Sequence, residues 1–386
     1  MHPINPAQVL WVPGVIGGLA ALVIPLIGGP LSDRCTAKMG RRKPFLIYGS
    51  VASCLCLLLM AWAFAANNLW LYFFAMFLLQ IPTNFALAAY SGIIPDVVPM
   101  NQRGAASGSM ALLGIVGTMA GLFTSAQLVE RNMHGVLFLT LGSVYSISCL
   151  FSAFGVRENR LRGPVPKLNL GRYIRSLWID PKKYPDFAWV WITRALVMMG
   201  FYLITGATLQ FYFQDVLGSQ KPVADSTGLA ILAFTIAAIS GVIGGRFSDQ
   251  HGRKPFVIVA SIGIGATAIA FLLCRNLSQA YIVGAFFGLA YGIYTSVDWA
   301  LGADVMPDKS SAAKDMAVWH IAQALPQQIA SIVVSVVLSN FLGPMVELNG
   351  MDTQKYTLPA YIILFVSAAI CFFLGGLLVR KVRGVA

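Results

Sequence analysis

Gly29-Pro30-Leu31-Ser32-Asp33-Arg34 leads, a few residues on, into Gly40-Arg41-Arg42-Lys43-Pro44-Phe45. The same order of residue types returns as Gly245-Arg246-Phe247-Ser248-Asp249 and Gly252-Arg253-Lys254-Pro255-Phe256. A shorter pair, Asp96-Val97-Val98-Pro99 and Asp304-Val305-Met306-Pro307, repeats at an offset of 208. Two copies of a charged loop marked by glycine and proline, each between long apolar runs, describe a chain built of two related halves. Paired halves of this kind are common in secondary transporters, with the substrate site at the repeat interface.

Working outward from these loops, eleven apolar runs are long enough to cross a hydrocarbon core as helices, which takes about 20 residues. They cover residues 10–30, 44–66, 69–95, 104–128, 134–156, 187–213, 226–247, 255–274, 279–304, 313–342 and 357–379. Composition agrees. Of 386 residues 57% are hydrophobic and 11% charged, against about 25% charged in a soluble domain. A water-soluble enzyme is thereby excluded, and the expected class is an all-α, multi-pass membrane protein. The basic residues are distributed by side. Twenty-two Lys and Arg fall in one alternating set of loops and four in the other. By the positive-inside rule the rich side is cytoplasmic, which puts the C-terminus there too; the plasma membrane is the expected location. The net charge of +12 is thus explained by membrane orientation, without a nucleic-acid partner.

The longest loop divides the chain into an N-terminal bundle, 1–156, a basic linker, 157–185, and a C-terminal bundle, 186–386. Within the linker Leu170, Tyr173, Ile174, Leu177 and Trp178 share one helical face. This suits either a short helix in the headgroup layer or a disordered basic segment. The six cysteines form no CxxC pair and have no histidine at ligand spacing, so neither a metal site nor a disulfide framework is expected. No P-loop, GxSxG or HExxH motif is present. Enzymatic activity and cofactors are not expected. Asn276-Leu277-Ser278 matches a glycosylation acceptor, but its loop is too short to favour use.

The doubled loop resembles the signature loop of the major facilitator superfamily, and its long first copy is most similar to the sucrose and related glycoside–cation symporter branches. Asp96, Pro99, Arg103 and Gly104 resemble a further element of that family. The resemblance implies a fold of two pseudo-symmetric helical bundles, a small-molecule substrate with a proton as coupling ion, and alternating access in a monomer. In the family the signature follows the second helix, and its second copy follows the eighth. Here the copies follow the first and seventh runs. The resemblance therefore implies that the family's first helix is missing, either through N-terminal truncation or because an eleven-span protein is real.

Charged groups inside the hydrocarbon region are costly, about 2.5–3.5 kcal/mol on insertion scales, and so mark functional sites. Arg194 and Asp298 lie within the sixth and ninth runs, each roughly 10 Å from the cytoplasmic end at 1.5 Å per residue. We expect them to form a salt bridge, with Asp298 as the proton acceptor. Snorkelling of Arg194 to the headgroups and a purely structural pair are the competing readings. Polar side chains at spacings of three, four and seven share helical faces. They are Gln80, Asn84 and Ser91 in the third run, Tyr291 and Tyr294 with Asp298 in the ninth, and His320, Gln323 and Gln327 in the tenth, while Arg194, Tyr202, Thr205 and Tyr212 roughly share a stripe in the sixth. Gln80, Asn84, Tyr202, Tyr291, Tyr294 and Gln323 are the expected solute contacts, since amides, phenols and ring faces suit a hydroxyl-rich solute. In the loops Asp33, Arg41, Arg42, Asp96, Arg103, Asp249 and Arg253 form the expected cytoplasmic gate, through carboxylate–guanidinium pairs that break on opening. A facilitator-type efflux carrier for lipophilic compounds and a non-transporting scaffold or sensor are the alternatives.

Overall fold

The computed structural model describes residues 11–91, 93, 97, 103–156, 171, 179–305, 312–348 and 351–383. Among the described residues each apolar run is mostly helical. The helices are α1 Trp11–Asp33, α2 Lys43–Ala65, α3 Leu69–Ser91, α4 Arg103–Glu130, α5 His134–Gly155, α6 Pro185–Ile204, α7 Ala207–Asp215, α8 Pro222–His251, α9 Arg253–Phe271, α10 Leu277–Asp304, α11 Ala312–Asn340 and α12 Leu358–Leu378. Among the described residues nine spans are long and apolar enough to cross a membrane, with α6 and α7 together forming one of them, Pro185–Asp215. The proposed interfacial helix of the linker lies outside the described residues.

Two features depart from a simple helical reading. The sixth span is broken. Thr205 leaves α6 in an extended conformation, and Gly206 follows at φ 65° and ψ −126°, a region that a β-carbon disfavours. The second feature is an antiparallel hairpin between α11 and α12, formed by β1 Leu342–Leu348 and β2 Met351–Tyr356. It corrects the wholly helical expectation locally. The segment is too short and too interrupted by Gly343, Pro344 and Gly350 to continue a helix, and its backbone groups pair across two strands instead.

The repeated signature glycine has a conformational cause. Gly40 and Gly252 sit at φ 123° and 86°, a turn that the Arg-Lys-Pro start of the next helix then follows. Pro44 occupies the first turn of α2, where a missing N–H costs nothing.

The chain divides into two compact units, Val15–Ile174, and Met1–Gly14 with Arg175–Ala386. In the first, α2 packs on α3 and α5. Leu57, Met60, Ala75 and Phe138 form one buried cluster, and Gly49 lets α2 approach Ala86 and the Pro82 carbonyl of α3. In the second unit α8 and α10 meet along a seam. There a β-carbon on Gly288 or Gly292 would collide with backbone atoms of Ala233 or Ala237, the small-residue contact through which membrane helices approach. α6 packs on α12, with Gly375 set against Val197 and the Thr193 carbonyl. Large apolar side chains such as Trp70, Phe151 and Phe154 stay exposed on the helix surfaces; in lipid they remain solvated by hydrocarbon.

Lys381 and Arg383 return to the start of the sixth span. The Arg383 backbone N–H donates to Asp186 Oδ1 at 2.7 Å, and Lys381 Nζ lies 4.2 Å from the Trp189 ring centroid.

Candidate functional site

The second unit gathers a polar cluster from α6, α10 and α11. Arg194 Nη1 of α6 donates to Asp298 Oδ2 of α10, an ion pair with side chains 2% and 1% exposed. Two charges removed from water are tolerated only with close geometry and further hydrogen bonds. Those bonds are present. Arg194 Nη2 donates to Gln323 Oε1 of α11 at 2.8 Å, and Gln323 Nε2 donates to Tyr202 Oη at 3.4 Å. The guanidinium carbon lies 4.7 Å from the Trp319 ring centroid and 5.5 Å from that of Trp299, within cation–π range. Arg194 Nε and Trp319 Nε1 are buried with no hydrogen-bond acceptor among the described residues.

Aromatic rings continue the cluster along α6 and α10. Tyr291 stacks on Phe201 with centroids 4.7 Å apart and on Phe287 at 5.7 Å. Tyr202 meets Phe201 edge-on at 5.2 Å. Tyr294 is buried beside Arg194 and Asp298. His320 sets its ring edge-on to Trp299 at 5.4 Å. The site thus holds a neutralised charge pair, an amide and three phenols next to a stacked apolar face. Chemically it can exchange a proton at one carboxylate, offer hydrogen bonds, and hold a ring against a flat surface.

The helical spacing read from the sequence therefore brings together Arg194, Asp298, Tyr202, Tyr291, Tyr294 and Gln323. Snorkelling of Arg194 is corrected by its burial. Gln80 and Asn84 belong to the other unit and engage each other. Asn84 Nδ2 donates to the Gln80 carbonyl at 2.8 Å and to Gln80 Oε1 at 3.3 Å. Trp299 and Trp319 went unread in the sequence. The signal was there, since Trp299 follows Asp298 directly and Trp319 lies one helical turn before Gln323.

At the loops, Arg42 is buried and its Nη1 donates to Ser32 Oγ at 2.8 Å. Arg253 Nε lies 2.6 Å from Asp304 Oδ2. The Asp304 partnership was not foreseen, although Asp304 is the second-copy counterpart of Asp96. The side chains of Asp33, Asp96, Arg103 and Asp249 lie outside the described residues. Asn276 caps α10, its side chain accepting from the Gln279 N–H at 2.9 Å.

Comparison with known proteins bears on most of the chain. The family model described as Major Facilitator Superfamily matches residues 3–330. The protein named Multidrug resistance protein MdtG, from Salmonella choleraesuis (strain SC-B67), is 27% identical over 248 residues, covering 63% of this chain and 57% of that protein. The Multi-drug resistance efflux pump PmrA of Streptococcus pneumoniae serotype 4 (strain ATCC BAA-334 / TIGR4) is 26% identical over 282 residues, covering 72% and 66%. The chain thus spans between 57% and 66% of the length of these curated relatives. Among solved structures, a mutant of the nucleoside transporter NupG superposes with a TM-score of 0.66 at 13% identity, covering 96% of this chain and 91% of its own. The D-xylose-proton symporter superposes at 0.67 with 16% identity, covering 96% and 89%. At these identities the two structures bear on the fold alone.

Proposed function

The chain belongs to the Major Facilitator Superfamily, a family of membrane transporters rather than enzymes, and from this premise we propose that it moves a small polar solute across a membrane by alternating access, with a proton as coupling ion. A sugar or glycoside is the solute class the cluster suits best. One observation carries the reading. The Arg194–Asp298 pair is sealed from water and sits among Gln323, Tyr202, Tyr291 and Tyr294. Amides and phenols on a ring-lined surface match a hydroxyl-rich solute, and the carboxylate supplies a place for the coupling proton. In the N-terminal unit Gln80 and Asn84 are the proposed solute contacts. A proton moving down a 100 mV potential supplies about 2.3 kcal/mol per charge. We further propose a plasma-membrane monomer with a cytoplasmic C-terminus, whose cytoplasmic face closes through Asp33, Arg41, Arg42, Asp96, Arg103, Asp249 and Arg253.

A second reading, efflux of lipophilic compounds, is favoured by the names of the curated relatives and by the apolar Phe201–Tyr291–Phe287 stack.

Proteoliposomes loaded at a defined internal pH separate the two. Uptake of labelled sucrose or D-xylose that grows with an inward proton gradient, and is lost in Asp298→Asn, is the expected result. Gradient-driven movement of ethidium without sugar uptake favours the second reading. Sugar uptake equal with and without the gradient overturns proton coupling.

A further inference from the structure

Trp319 and Gly302 take no part in the reading above, yet they fix where Arg194 can be. Trp319 is fully buried on α11, one turn before Gln323. Gly302 lies on α10, one turn after Asp298. A β-carbon at position 302 would stand 2.6 Å from Cζ2 and 2.8 Å from Cε2 and Cη2 of the Trp319 indole. The indole therefore lies against bare backbone on α10 while the Arg194 guanidinium packs 4.7 Å from its centroid. Trp299 is farther away, at 5.5 Å, and 42% exposed.

The consequence follows from the proton cycle proposed for Asp298, on which this inference rests. While Asp298 is ionised it neutralises Arg194. Once it has taken a proton, Arg194 is a buried cation without a counter-charge, left with neutral acceptors, Gln323 Oε1 and the carboxyl oxygen, and with the indole faces. A desolvated cation gains most from a ring face when no anion shares it. We propose that Trp319 is a positioning residue that holds Arg194 in place while Asp298 is protonated, and that Gly302 is the residue that admits the indole.

The other groups near the pair belong to the same three spans: Tyr202 on α6, Tyr291 and Tyr294 on α10, His320 on α11. α12, packed on α6, carries no charged residue, and the flanking α8 and α9 carry theirs near their ends.

The test titrates Asp298 itself, without a solute. In purified full-length protein, the infrared carbonyl band of the protonated carboxyl that disappears in Asp298→Asn is followed against pH. Trp319→Leu keeps an apolar side chain but removes the ring face. It should lower the band's midpoint by about one pH unit, because the protonated form loses its support for Arg194. Trp319→Phe, which keeps a face, should stay near the parent value. Gly302→Ala should also lower the midpoint, and Gly302→Ala with Trp319→Phe should restore it, since the smaller ring makes room. Should Trp319→Leu fail to fold, the Gly302→Ala series decides. A midpoint unchanged in Trp319→Leu, or in Gly302→Ala, overturns the inference and leaves the role of Asp298 intact. Absence of any band sensitive to Asp298→Asn overturns both.

Discussion

Arg194 and Asp298 each depend on the other, since an ionised side chain inside a membrane span has no water to solvate it; for the same reason each stands out singly in its apolar run. Their meeting was legible only as an expectation, since residues 104 positions apart are joined by helix packing and not by sequence spacing. The rings around the guanidinium were legible only by position, Trp299 next to Asp298 and Trp319 one turn before Gln323, because tryptophan in a membrane helix otherwise looks like any large apolar residue. The energetics of the pair yield a prediction. Removing one partner leaves an uncompensated buried charge, at a cost of about 3–5 kcal/mol, whereas replacing both with apolar residues is often neutral. Arg194→Met or Asp298→Leu should each lower the thermal unfolding midpoint in detergent, and the double variant should recover most of the loss. A double variant as unstable as the sum of the singles would show that the two side chains are not coupled.

Among the elements, the spanning helices followed from the length of the apolar runs. The break at Thr205–Gly206 did not, since the residues on either side are as apolar as those of an unbroken span. Nor did the hairpin, whose strands have too few alternating positions to announce themselves. Asp215 ties these two unforeseen features together. At the end of α7 it accepts from the Tyr356 N–H of β2 and from the Tyr361 hydroxyl of α12. Asp215→Ala removes that shared acceptor, and a buried group that loses its partner costs about 1–3 kcal/mol. Exchange of the Tyr356 amide with deuterated solvent should then accelerate by about tenfold or more, while amides in the α8–α10 seam keep their parent rates. Equal exchange at Tyr356 in the two proteins would mean that the strand ladder holds the hairpin unaided.

For the molecule as a whole, the doubled signature loop was the most informative feature of the sequence. It implied two halves, named the family by resemblance, and suggested an orientation through the charges around it. The family is now shown over residues 3–330, while the symporter branch suggested by the first copy stays a proposal beside relatives named for drug efflux. Sidedness makes a simple prediction. With the native cysteines replaced, Lys38→Cys and Lys254→Cys should resist an impermeant maleimide applied to intact cells and react once the cells are opened. Labelling of either position from outside would reverse the proposed orientation.

The tail that returns from α12 has a practical consequence for anyone building reporters. Because Arg383 and Lys381 are fastened to Asp186 and Trp189 at the mouth of the Arg194-bearing helix, a fluorescent protein joined there without slack would tug on that helix. A flexible spacer between Arg383 and the reporter is the safer attachment.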